Sequence, residues 1–86
     1  MADEMEDRRK DPRATTSVPG VIKAKTLDRP IPCLVRNVSI SGAEIEVATP
    51  SEIPDVLTLV VDSAEMRIRC YVAWRKGTRV GLAFQQ

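Results

Sequence analysis

The sequence predicts an all-β protein: a small six-stranded antiparallel β-barrel of Greek-key-like form, with a flexible N-terminal arm. Three observations predict it. Apolar and polar residues alternate in short runs, as on strands that bury one face. Turn-forming residues separate those runs, and no stretch carries apolar residues at helical spacing. At 86 residues the chain can build one modest core, and closing the sheet into a barrel removes edges that would otherwise pair with other chains.

Residues 1–14 are assigned to the arm and residues 15–86 to the barrel. The arm opens with Asp3, Glu4, Glu6 and Asp7 and turns basic at Arg8, Arg9, Lys10 and Arg13. Adjacent blocks of opposite charge without apolar periodicity read as a solvated, mobile segment. Pro12 disfavours helix at Asp11, so Arg9 and Arg13 belong on an extended or turning loop.

The first strand is expected over residues 15–25, with Val18, Val21 and Ile22 apolar and a bend or bulge at Pro19-Gly20. Residues 26–30 turn the chain. Residues 31–38 form the second strand, with Cys33 and Val35 on one face and Leu34 and Arg36 on the other. Residues 43–48 alternate cleanly, Ala43, Ile45 and Val47 opposing Glu44 and Glu46. After a break at residues 49–54, residues 56–61 form a mostly apolar strand and residues 62–65 a turn.

In the fifth strand Met66, Ile68, Cys70, Val72 and Trp74 share one face, opposite Arg67, Arg69, Tyr71, Ala73 and Arg75. Lys76-Gly77-Thr78 is a hairpin turn into the last strand, residues 79–84, where Val80, Leu82 and Phe84 face inward. The chain holds one Trp, one Tyr and one Phe, so Val, Ile and Leu must fill most of the core. Trp74 and Phe84 are expected as its bulky anchors.

Composition narrows the function. A net charge of +1 is too small for a protein that coats duplex nucleic acid by long-range attraction, so any nucleotide site must be local. No apolar run reaches membrane-span length, and the charged first residues lack a signal peptide's apolar centre, so no membrane insertion and a cytoplasmic location are expected. Histidine is absent, and no nucleophile elbow or phosphate-binding glycine loop replaces it, so neither catalysis nor a metal or cofactor is expected. Cys33 and Cys70 lack metal-type spacing and sit in apolar stretches; they read as buried thiols rather than a disulfide.

Two islands carry chemistry. Arg8, Arg9 and Arg13 supply planar guanidinium forks that fit a phosphate or the O6 and N7 edge of guanine. Downstream, Asn37-Val38-Ser39-Ile40-Ser41-Gly42 sets short polar side chains beside a glycine, where backbone and ligand can approach closely. The second island also reads as a plain β-turn, with Asn37 and Ser39 bonding nearby backbone and Gly42 at positive φ.

In order and spacing, Arg9-x-x-x-Arg13, Asn37-x-Ser39-x-x-Gly42 and Val72-x-Trp74 leading to Gly81-Leu82-Ala83-Phe84 resemble the PilZ domain of bacterial cyclic di-GMP receptors. The resemblance implies a barrel whose arginine arm folds over a cyclic dinucleotide, with Arg8, Arg9, Arg13, Asn37, Ser39 and Gly42 as ligand-binding residues. It also implies a non-enzymatic receptor that acts on an effector protein, as a monomer or weak dimer. An arginine at the place of Arg8 resembles family versions that capture two intercalated ligand molecules. Asparagine at the place of Asn37 is often aspartate in the family, and forfeits a charge-assisted acceptor. The chain reaches Gln86 two residues past the last strand, so the helix that often follows the barrel is not expected. Two other classes fit a small barrel. One is a protein-interaction module without nucleotide. The other is a single-stranded nucleic-acid binder on an OB-like barrel, which needs several exposed aromatics and finds one clear platform, Tyr71.

Overall fold

The computed structural model describes residues 14–85, so residues 1–13 of the arm, with Arg8, Arg9 and Arg13, lie outside the described residues. Six strands follow in order: β1 (Ala14–Lys23), β2 (Ile31–Val38), β3 (Gly42–Glu46), β4 (Val56–Val61), β5 (Met66–Lys76) and β6 (Arg79–Phe84). All pairings are antiparallel and close a barrel in the order β1-β2-β3-β6-β5-β4. Two three-stranded meanders, β1 to β3 and β4 to β6, are joined by the β3 to β4 crossing, which contains a 3-10 turn at Pro50–Glu52. The expected Greek-key-like barrel is the fold observed.

Alternation decides which side chains meet inside. Ile22, Cys33, Val35, Ala43, Ile45, Val47, Leu57, Leu59, Cys70, Val80, Leu82 and Phe84 are buried together. Ile53, in the crossing, joins the core and is 2% exposed, a core residue that strand alternation could not identify. Both cysteines are free thiols within this core, as read from their surroundings.

Three one-residue bulges break the alternation, and they account for the differences from expectation. The bulge in β1 falls between Thr15 and Val18, not at Pro19-Gly20, which stay in register with Leu34 and Cys33. Pro19 is tolerated because β1 has only β2 beside it there; its pairing with β4 begins at Val21. In β2, Val35 pairs with Ile45 and Asn37 with Glu44, so Arg36 is the extra residue. In β5, Val72 pairs with Leu82 and Trp74 with Gly81, so Ala73 is extra.

The β5 bulge overturns the expected role of Trp74. Inserting Ala73 reverses the phase, and the indole sits on the outer face, 45% exposed, instead of beside Val72 in the core. Phe84 alone is the buried anchor. The same shift gives Arg75 the opposite phase from the one alternation assigned it. Its Nη2 donates to the Ile53 carbonyl at 2.6 Å and reaches Asp55 Oδ1 at 3.3 Å, tying the crossing to the barrel.

Candidate ligand-binding site

The bulges in β2 and β5 flank two unbulged strands and turn one residue from each flank outward. Without Arg36 as an insertion, Asn37 would share the inward phase of Val35; without Ala73, Trp74 would share that of Val72. Between them, Glu44 points outward because Ala43 and Ile45 are buried, and it pairs with Gly81. A single row therefore crosses four strands: Asn37, Glu44, Gly81, Trp74.

That row floors an open depression of about 280 Å³, also lined by Ser39, Ser41 and Gly42. Its volume lies at the small end for ligand pockets, enough for a planar ring rather than a whole dinucleotide. The indole forms one wall. It lies against Gly81 so closely that a Cβ there would meet Nε1 at 2.1 Å, so glycine is what lets the ring lie against the sheet.

Polar groups converge on the opposite wall. Asn37 Nδ2 donates to Glu44 Oε1 at 3.3 Å, and among the described residues no donor engages its Oδ1. Arg79 Nη1 donates to Glu44 Oε2 and Arg79 Nε lies 3.6 Å from Glu46, which also meets Arg36 at 3.5 Å. Among the described residues, Glu44 is the one charged residue lining the depression.

At the corner, the Ser39 amide donates to the Gly42 carbonyl at 2.8 Å and its hydroxyl to the same oxygen at 3.4 Å. The plain-turn reading is thus met at Ser39. It fails at Asn37, whose amide bonds a side chain, and at Gly42, which is not among the positive-φ glycines. Gly42 is needed for a different reason: a Cβ there would lie 2.3 Å from the Leu82 carbonyl oxygen of the neighbouring strand.

Asn37, Ser39 and Gly42 are therefore brought together on one surface, while Arg8, Arg9 and Arg13 fall outside the described residues. Connectivity nevertheless fixes where the arm departs. Ala14 pairs with Val38 and Thr15 with Asn37, so the residue after Arg13 adjoins the same corner. Arg9 is five residues ahead of Ala14, a reach of at most about 18 Å. Trp74 and Glu44 are site residues that alternation alone did not mark. The signal for Trp74 was Gly81, a glycine inside a strand, which marks close approach by another group.

No helix among the described residues is long and apolar enough to cross a membrane, and no group of His, Cys, Asp and Glu among them is placed to hold a metal ion. A family model described as PilZ domain matches residues 7–86. Among curated proteins no match was found.

Proposed function

The chain belongs to the PilZ domain family, whose members bind cyclic di-GMP, and from this we propose that it is a non-enzymatic cyclic di-GMP receptor acting on an effector protein. The observation that carries the reading is the row Asn37, Glu44, Gly81, Trp74 beside the Ser39 and Gly42 corner, with the arm leaving from that same corner.

One guanine stacks on the indole of Trp74, and its N–H groups meet the Asn37 Oδ1 acceptor. The Ser39 hydroxyl retains lone pairs for a base or ribose donor. A dianion needs cations, and among the described residues the lining of the depression has none. Arg9 and Arg13 supply them, gripping the phosphates or the O6 and N7 edge of the second guanine, and Arg8 adds a third fork able to serve an intercalated second ligand. Ordering the arm over the ligand changes the surface that an effector protein meets.

Calorimetric titration of the wild type and of the double variant Arg9→Ala/Arg13→Ala tests this. Saturable wild-type binding, weakened about a hundredfold or more in the double variant, is the expected result for two charge-assisted contacts. Equal binding by both proteins would remove the arm from the site. A wild type indifferent to millimolar cyclic di-GMP would remove the receptor.

A further inference from the structure

We infer that Glu44 makes this site choose guanine over adenine, by presenting with Asn37 an edge made only of acceptors. The inference rests on the receptor reading and adds to it the residue that sets base specificity.

The hydrogen-bond chain dictates the orientation. Arg79 Nη1 donates to Glu44 Oε2, and Glu44 Oε1 accepts from Asn37 Nδ2 at 3.3 Å. With its NH₂ group engaged by Glu44, the Asn37 amide has its acceptor, Oδ1, to offer a ligand in the depression that it lines. Both carboxylate oxygens keep further lone pairs, and the Glu44 side chain is 24% exposed, so it remains accessible from the depression. A base lying against Trp74 in the same row therefore faces acceptors on this side. The Watson–Crick edge of guanine offers N1–H and an N2 amino group, which are donors. The same edge of adenine offers a single donor, the N6 amino group, beside a lone pair at N1 that an acceptor wall repels.

A bland reading makes Glu44 half of a surface ion pair with Arg79 and nothing more. The two readings differ in sign. A carboxylate beside a doubly anionic ligand is unfavourable by Coulomb's law, so if only its charge mattered, removing it would tighten every cyclic dinucleotide alike. If it accepts from guanine, removing it weakens the guanine ligand selectively.

The test is titration of wild type, Glu44→Gln and Glu46→Gln with cyclic di-GMP and cyclic di-AMP at one ionic strength. Glu46 shares the Arg79 contact but does not line the depression, so it reports the charge effect alone. Expected is a loss of about tenfold for cyclic di-GMP in Glu44→Gln, cyclic di-AMP unchanged or tightened, and both ligands moving together in Glu46→Gln. A wild-type affinity ratio preserved in Glu44→Gln, or reduced equally in Glu46→Gln, overturns the role of Glu44 while leaving the receptor intact. A wild type that binds no cyclic di-GMP overturns both.

Discussion

Trp74 and Gly81 face each other across β5 and β6 with no room for a methyl group between them, since a Cβ at Gly81 would fall 2.1 Å from the indole Nε1. The contact makes the glycine part of the ring's support. A tryptophan on an exposed sheet face is usually free to change rotamer, whereas this one is seated against the Gly81 backbone, in one row with Glu44 and Asn37.

Gly81→Ala should therefore act on the ligand through Trp74. The sheet can keep its hydrogen bonds, because Gly81 needs no left-handed backbone, but the indole must swing off its seat. We expect cyclic di-GMP affinity to fall about tenfold or more, the loss of one base-stacking contact. A changed emission maximum from the single tryptophan should accompany it. Unaltered emission and affinity in a folded Gly81→Ala protein would show that the ring does not depend on this seat.

Trp74→Ala should separate binding from stability. With the side chain 45% exposed, truncation is expected to cost about 1 to 2 kcal/mol of folding free energy, against about 3 to 5 kcal/mol for Phe84→Ala in the core. Binding should move the other way, with Trp74→Ala losing about 1 to 3 kcal/mol toward cyclic di-GMP. Denaturant melts and calorimetry measure the two quantities. A Trp74→Ala variant as unstable as Phe84→Ala would return the indole to the core.

The contrast between these aromatics shows what the sequence could convey. Strands β2 and β4 run from Ile31 to Val38 and from Val56 to Val61 as alternation and turn residues predict, and the inward sets Cys33 with Val35 and Ala43 with Ile45 follow from a period of two. That period fails at a bulge, because one inserted residue reverses every later side chain on the strand. Arg36 and Ala73 look ordinary in the sequence, yet they decide that Asn37 and Trp74 point outward. The contact between Glu44 and Arg79 joins residues 35 positions apart, and only the β3 and β6 register brings them together. The motif residues were legible; the wall and the acceptor opposite them were made by tertiary register.

Gly42→Ala is expected to damage the fold before it touches the ligand. The obstacle is the Leu82 carbonyl oxygen, 2.3 Å from the new Cβ, and backbone cannot rotate aside as a side chain tip can. Strands β3 and β6 must separate at the Gly42 and Ala83 pair, which adjoins the bond from the Phe84 amide to the Ser41 carbonyl. A loss of about 1 to 3 kcal/mol, the usual penalty of overpacking, should appear in thermal melts without ligand. A variant with wild-type stability and impaired binding would instead make Gly42 a ligand contact.

Stability should fall at alkaline pH through the two thiols. Burial pushes Cys33 and Cys70 each up to about 11, from 9.0 for a free thiol. Between those values the unfolded chain has released thiol protons that the folded chain still holds, so unfolding gains from each rise in pH. The stabilising contribution is complete below about pH 9 and is lost progressively toward pH 11. On the order of 1 to 3 kcal/mol is at stake for each buried thiol. Replacing both with the small apolar residue alanine removes this titration, so urea melts from pH 8 to pH 11 should show a steeper decline for wild type than for Cys33→Ala/Cys70→Ala, whatever the absolute stability of the variant. A thiol reagent at pH 8 should modify neither cysteine until denaturant is added. Rapid modification of the native protein, or parallel pH profiles for the two proteins, would mean that the thiols are open to solvent.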